Sequence, residues 1–431
     1  MKICIIGTGY VGLVAGTCFA DMGNDVICVD NNPEKLNMLK NGIVPFYEPA
    51  LDDLVKSNLK KNRLEFTDDI NYAVQESEIC FICVGTPQNN DGSADLHYVT
   101  EVCEQIAKAM NGYKIIVQKS TVPVGTSEKL EKIIKQNTSY PFEIVSNPEF
   151  LRQGNAVNDF ICPDRVIIGT ECDSAIKVLK ELYLPFSRTD DKFIIMDIKS
   201  AEMTKYAANS FLATKISFIN EFANLCEETG ADIEKVRIGI ASDSRIGTQF
   251  LYSGLGFGGS CFPKDIKSAI KTGIDYGCEM EILKSVEFVN INQRKRFLNK
   301  ITNKFGEDLS GKIFAIWGLS FKPKTDDMRE APSIEIINGL LEKGAVVKTY
   351  DPGAMKIASK IFSNKIAYCD SSYQTLENAD AVLLLTEWNE FKNPDFEKMK
   401  ALMKTPIIFD GRNQYDKHLL EKLGFEYFKI G

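Results

Sequence analysis

The chain opens with Lys2-Ile3-Cys4-Ile5-Ile6, a short apolar strand, and passes at once into Gly7-Thr8-Gly9-Tyr10-Val11-Gly12 and a helix-like run through Ala20. Strand, G-x-G-x-x-G and helix in register are the phosphate-binding turn of a doubly wound α/β domain. In that reading Gly7 makes the tight turn, and Gly9 admits a pyrophosphate to backbone N–H groups at the helix N-terminus. Gly12 lets helix and strand pack closely. A second strand, Val26-Ile27-Cys28-Val29-Asp30, ends in an acid. An aspartate there accepts from both ribose hydroxyls and repels a 2′-phosphate, so the expected cofactor is NAD rather than NADP.

The same order of parts recurs near the other end. Leu341-Glu342-Lys343-Gly344 and the strand Ala345 to Asp351 repeat the helix, glycine, strand and aspartate of residues 20–30. Each is preceded by a glycine-ended strand, Ile3 to Gly7 and Ile313 to Gly318, and followed by an apolar strand, Ile79 to Val84 and Ala381 to Thr386. The expected fold class is therefore α/β, with two doubly wound Rossmann-like domains. The second lacks the glycine fingerprint and offers Lys322, Lys324 and Arg329 after Gly318, cations suited to a phosphate-bearing ligand. Between them, residues 198–304 carry helical periodicity, with one long connecting helix over Glu281 to Lys304 that also suits subunit contact. The expected domains are 1–197, 198–304 and 305–431.

A length of 431 residues suits two or three domains. A net charge of −8 without a dense basic run argues against nucleic acid, and no apolar run is long enough to cross a membrane. The N-terminal apolar segment is a strand rather than an export signal, so a soluble, cytoplasmic protein is expected. Its 12 cysteines then read as reduced thiols. Cys80 and Cys83 form a CxxC inside an apolar strand, which favours packing over redox or metal chemistry. With 2 histidines in the chain, no metal site is expected and a histidine-based hydrolase is disfavoured, so any general base is a carboxylate, a lysine or water.

One stretch carries nucleophile chemistry. Gly256-Phe257-Gly258-Gly259-Ser260-Cys261-Phe262-Pro263-Lys264-Asp265 places a cysteine among glycines and beside a lysine, whose ammonium would favour the reactive thiolate. The glycines would let a bulky substrate approach the backbone. Lys205 and Asn209, one helical turn apart, can both donate to a single oxygen, as an oxyanion site requires.

Together with Gly85-Thr86-Pro87, Ser120-Thr121-Val122-Pro123, Asn147-Pro148-Glu149-Phe150-Leu151 and Gly318 to Arg329, these motifs resemble, in order and over essentially the whole chain, the UDP-glucose/GDP-mannose dehydrogenase family. Ser244-Arg245-Ile246-Gly247 and Pro163-Asp164-Arg165-Val166 look most like its UDP-glucose branch.

The resemblance implies an NAD-dependent oxidation of a sugar C6 alcohol to a carboxylate in two hydride transfers, with UDP-glucose as substrate and a homodimer as the assembly. GDP-mannose and UDP-N-acetylhexosamines are the alternative substrates. It also implies roles. Cys261 captures the aldehyde as a thiohemiacetal and later carries a thioester, while Lys205 and Asn209 hold the oxyanion. Asp265, through water, is the base for the alcohol. Glu149 is the base for hydrolysis, with Thr121 and Asp265 placing the water. Asp30 and Lys35 would hold the adenosine ribose, with Tyr10, Val11, Thr86, Thr121, Lys264 and Arg329 elsewhere on the cofactor. The substrate would meet Glu149, Phe150, Leu151, Arg152 and Gln153, then Lys205, Asn209 and Arg245. Phe250, Leu251, Tyr252, Ser253, Gly254, Gly258 and Lys322 complete that set. Relatives usually carry glutamate at Gln153; glutamine cannot titrate, so Gln153 is expected to bind near the cofactor and Glu149 to act as base. A two-electron hydroxyacid-type dehydrogenase or a non-catalytic nucleotide sensor would use the fingerprint but leave Cys261 without a role.

Overall fold

A computed structural model describes residues 1–187 and 190–431, which form two compact units. The first comprises residues 1–208 and 267–278, the second 209–266 and 279–431.

The first unit is built on an eight-stranded sheet: β1 (Lys2–Ile6), β2 (Asp25–Val29), β3 (Leu64–Thr67), β4 (Ile79–Ile82), β5 (Lys114–Gln118), β6 (Phe142–Ser146), β7 (Val166–Gly169) and β8 (Phe193–Met196). Its order is β3-β2-β1-β4-β5-β6-β7-β8, parallel except where β6 meets β7. Strands β4 and β5 are buried along their whole length, as expected of sheets covered on both faces, and so read as continuous apolar runs. Cys80 pairs across the sheet with Cys4, and burial pushes the Cys83 thiol up to about 12, so this CxxC is packing.

The second unit has a six-stranded parallel sheet: β9 (Ile313–Trp317), β10 (Val346–Tyr350), β11 (Ala367–Tyr368), β12 (Ala381–Leu384), β13 (Ile407–Asp410) and β14 (Glu426–Phe428), in the order β11-β10-β9-β12-β13-β14. That is the doubly wound order of a dinucleotide-binding domain. The internal likeness extends to single hydrogen bonds. Gly7 N donates to Val29 O at 2.8 Å, and Gly318 N donates to Tyr350 O at 2.9 Å. Both glycines have positive φ, 97° and 93°, a conformation that L side chains rarely adopt.

The central stretch forms helices Ile198–Thr229, Ile233–Ala241, Phe262–Asp275 and Glu281–Phe305, with residues 242–261 irregular. The helix expected over Glu281 to Lys304 is present, but the longest is Ile198–Thr229, of 32 residues, carrying Lys205 and Asn209. No helix among the described residues is long and apolar enough to cross a membrane.

Candidate active site

In the first unit the dinucleotide turn is open where a cofactor would need it open. The helix Tyr10–Asp21 is capped by Gly9 with no side-chain hydrogen bond and no acid in its first turn, so neither its cap nor its own first turn supplies an anion to the positive dipole end. A Cβ built on Gly9 meets nothing within 4 Å, whereas one on Gly7 would lie 2.8 Å from Cys83 O, and one on Gly12 would overlap Gly7 O. Gly7 and Gly12 serve the fold; Gly9 leaves space. These residues fit NAD.

Asp30 stands at the end of β2. Its Oδ2 accepts from Thr8 N at 3.0 Å, Thr8 Oγ1 at 2.6 Å and Lys35 Nζ at 2.6 Å, and Oδ1 accepts from Asn32 N at 3.1 Å. Burial disfavours its charge, but the Lys35 ammonium and the Thr8 donors outweigh this and hold the carboxyl below its ordinary value. Thr8 was not legible as a partner, since it occupies a variable position of the fingerprint. Thr86 and Thr121 are brought together, Thr86 Oγ1 donating to Thr121 O at 2.9 Å.

The Glu149 segment follows β6. Glu149 Oε2 accepts from Leu151 N at 2.5 Å, and its Oε1 lies 3.1 Å from Lys205 Nζ. Burial opposes the charge on Glu149; Lys205, the Leu151 amide and Lys119 reverse that and keep its carboxyl low. Phe150 lies between two cations, with the Arg165 guanidinium 3.7 Å from its ring centre and Lys205 Nζ at 5.2 Å. Arg152 is committed to Asp159 by bonds of 2.9 and 2.6 Å, and Gln153 is half-buried. Beyond it, Glu48 accepts from Gly154 N at 2.6 Å and Ala156 N at 2.8 Å, fixing the segment's end. Glu48 carried no sequence signal, because its partners are backbone groups far along the chain.

In the second unit Cys261 is the residue immediately before the helix Phe262–Asp275, its carbonyl accepting from Asp265 N at 2.9 Å. A thiol at a helix N-terminus is favoured as thiolate by the dipole. Asp265 is fully buried, taking Asn209 Nδ2 at 2.6 Å on Oδ2 and Lys264 Nζ at 2.6 Å on Oδ1. Lys264 thus neutralises Asp265, and Arg329 is a cation whose charge couples to Cys261. Arg329 is itself held by Asp327 at 2.9 and 2.6 Å.

Three glycines of this loop also serve the fold. A Cβ on Gly256 would overlap the Asn290 side chain, one on Gly258 the Glu330 carbonyl, and one on Gly259 would lie 2.8 Å from the Phe321 ring. On the side where a Cβ would stand they admit the protein's own neighbouring segments. Behind the loop, one face of the helix Glu281–Phe305 supplies hydrogen bonds: Asn290 Oδ1 from Phe257 N at 2.8 Å, Gln293 Nε2 to Gly254 O at 3.0 Å and Arg294 Nη2 to Phe257 O at 2.7 Å. Asn220 Oδ1 takes Gly254 N at 2.8 Å. These polar residues were not singled out in the sequence, though their i, i+3, i+4 spacing was the available signal.

The other expected substrate residues divide by exposure. Leu251, Ser253 and Gly254 are buried, Ser253 Oγ accepting from Asn413 at 2.9 Å. Phe250 has φ 64° and packs on Phe262 at 6.1 Å, and Tyr252 is exposed beneath the Arg237 guanidinium at 4.6 Å. Arg245 is exposed and folds back on Asp243 at 2.6 Å, while Lys322 sits over the Phe321 ring at 5.4 Å.

The position equivalent to Asp30 is occupied from within. Asp351 Oδ2 accepts from Leu319 N at 2.6 Å, Ser320 N at 3.1 Å and Trp388 Nε1 at 3.1 Å, and Oδ1 from Gly353 N and Ala354 N, each at 2.8 Å.

Models of the UDP-glucose/GDP-mannose dehydrogenase family match residues 1–187 as NAD binding domain, 199–292 as central domain and 315–417 as UDP binding domain. The chain is 45% identical to a UDP-glucose 6-dehydrogenase of Pseudomonas aeruginosa, covering 100% of this chain and 97% of that one. It is 46% identical to the UDP-glucose 6-dehydrogenase TuaD of Bacillus subtilis, over 100% and 93%. Among solved structures, a UDP-glucose dehydrogenase from Pyrobaculum islandicum superposes with a TM-score of 0.92 at 35% identity, over 100% and 96%.

Proposed function

We propose that this chain, which belongs to the UDP-glucose/GDP-mannose dehydrogenase family, is an NAD-dependent oxidoreductase that converts UDP-glucose to UDP-glucuronate by two successive oxidations at C6. The observation that carries the reading is Cys261 at the start of a helix whose first turn presents Asp265 to Asn209. A free aldehyde cannot yield a second hydride until a nucleophile adds to it, and a thiol in that setting is the nucleophile such chemistry needs.

NAD, when bound, supplies the hydride acceptor for both oxidations. The turn from Gly7 to Gly12, Asp30 and Lys35 would hold its adenosine diphosphate portion, with Thr86, Thr121, Gln153, Lys264 and Arg329 as further contacts. Asp265, through water, takes the proton of the C6 hydroxyl. Cys261 Sγ adds to the aldehyde carbon, and Lys205 and Asn209 donate to the resulting oxygen. Loss of the second hydride leaves a thioester on Cys261. Glu149 then removes a proton from water, which attacks the thioester and releases the carboxylate and the thiol, with Thr121 and Asp265 placing that water. Glu149 to Gln153, Phe250 to Gly254, Gly258 and Lys322 would line the nucleotide sugar.

The same reading includes a homodimer in the cytoplasm. An apolar stripe on the helix Ile198–Thr229, with Phe211, Phe218, Phe222 and Leu225 from 40 to 66% exposed, supports the dimer, and the 87% exposure of the Arg245 side chain supports its reaching a partner's substrate. Free thiols throughout the chain suit a reducing compartment. The division at 197/198 and 304/305 into cofactor, helical and UDP-sugar domains is part of the proposal.

The test is the number of NADH molecules formed per UDP-glucose consumed, with GDP-mannose and UDP-N-acetylglucosamine in parallel. Two from UDP-glucose alone supports the reading. One overturns the four-electron reaction, and turnover of another sugar overturns the substrate.

A further inference from the structure

Lys119 follows β5 and is 3% exposed, yet no role in cofactor or substrate binding falls to it. Its Nζ donates to Asn147 Oδ1 at 3.0 Å and to Tyr183 OH at 3.1 Å, and Tyr183 OH donates to Asn147 Oδ1 at 2.6 Å. Asn147 Nδ2 donates in turn to Ile167 O at 2.7 Å. The ammonium also stands 5.9 Å from the Phe160 ring centre and 5.7 Å from that of Tyr183. Among the described residues no carboxylate lies within ion-pair distance of it, so the ammonium's direct hydrogen-bond partners are neutral. Such a charge costs several kcal/mol to desolvate and persists only where something nearby gains from it.

What lies nearby is Glu149. Lys119 and Glu149 line one cavity of about 220 Å³ in the first unit, and Asn147, the acceptor of the Lys119 ammonium, stands two residues before Glu149. We propose that Lys119 is a positioning residue for Glu149: anchored on Asn147 and Tyr183, its buried ammonium keeps the carboxylate in the ionised form that thioester hydrolysis needs. The inference rests on the reading of Glu149 as hydrolytic base given above.

The groups facing this pair are named readily. Cys83, beyond β4, is a thiol that burial keeps protonated, and Tyr183, on the helix Asp173–Tyr183, is a phenol raised well above its ordinary value by burial. Lys205 contacts Glu149 and opposes the charge on Lys119. Arg152, Asp159, Asp164 and Arg165 line the same cavity, Arg152 and Asp159 neutralising each other. Burial brings the Lys119 ammonium down to about 8, partly offset by Glu149, so Lys119 is charged at neutral pH.

The experiment follows hydrolysis of the thioester on Cys261 across the acid and neutral pH range, by quenched-flow product release and by the mass of the acylated protein. Lys119→Met is expected to move the acid limb of hydrolysis up by about one pH unit, because a carboxylate deprived of a nearby cation holds its proton longer. Lys119→Arg returns the limb toward its original place, and Tyr183→Phe, which removes an anchor and keeps the charge, leaves it there. Glu149→Gln erases the limb. If Glu149→Gln erases the limb and Lys119→Met leaves it unmoved, the role of Lys119 is overturned while the base stands; a limb that survives Glu149→Gln overturns the base assignment as well. Should Lys119→Met not fold, Lys119→Gln, which keeps a donor for Asn147 without the charge, is read by the same criteria.

Discussion

Lys205 Nζ and Glu149 Oε1 form an ion pair of 3.1 Å with both side chains almost withdrawn from water, at 5% and 6% exposure. Removing one partner strands the other's charge, and the cost of a stranded buried charge is about 3–5 kcal/mol. Lys205→Met is therefore expected to lower the urea midpoint by a corresponding amount, and adding Glu149→Gln to recover a large part of it. The pH dependence has a definite sign. The folded Glu149 carboxyl titrates below its ordinary 4.5, so its contribution is complete above that value and is lost as pH falls through the folded value. Glu149→Gln should be less stable than the unaltered protein at neutral pH and should lose less further stability as pH falls below 4.5, so that the two denaturation midpoints converge in acid; midpoints separated by a constant amount at all pH would contradict this.

A Cβ would find open space at Gly9 and the protein's own backbone at Gly258. A Cβ on Gly9 meets nothing, and its φ of −66° suits alanine, so Gly9→Ala should melt like the unaltered protein while losing NAD affinity tenfold or more. Gly258→Ala drives a methyl into the Glu330 carbonyl and should cost about 1–3 kcal/mol. Calorimetry with and without NAD distinguishes the two; a destabilised Gly9→Ala would contradict the first expectation.

Asp30 and Asp351 stand at equivalent places in two related sheets. Asp30→Asn should weaken NAD binding about tenfold to a hundredfold, the worth of a hydrogen bond to a charged group. Asp351→Asn turns a donor toward backbone N–H groups and should cost at least about 2 kcal/mol in stability with NAD affinity unchanged. Titration calorimetry and thermal melts on both variants check the contrast.

Cys261→Ser retains a hydroxyl at the helix start but loses the thiolate. It is expected to halt at or before the ester stage, with no sustained release of UDP-glucuronate. Continued full turnover would remove the cysteine from the mechanism.

The two doubly wound domains and the NAD turn were legible because they depend on local patterns: apolar runs, glycines at fixed spacing and an acid at a strand end. Gly7, Gly9, Gly12 and Asp30 announced themselves in that way. Long-range partners did not. Glu48 serves the amides of Gly154 and Ala156, and Lys119 serves Asn147 and Tyr183, through contacts across separate strands and helices that no spacing rule encodes. The Cys261 loop hid a second use of its glycines, for three of them pack against Asn290, Glu330 and Phe321, neighbours that the sequence did not announce. Lys264 likewise stands beside Cys261 in sequence while its ammonium is bound by Asp265.

Asn290 contacts both the N–H and the C=O of Phe257, as a neighbouring strand would, and Gln293 and Asn220 do the same between them for Gly254. Side chains of two helices, Glu281–Phe305 and Ile198–Thr229, thus stand in for the missing edge of a sheet, and the segment leading to the nucleophile is knitted into the core although it has no regular secondary structure. Its amides should exchange with deuterium as slowly as those of β9, and whatever must yield to let product leave, this segment opens last.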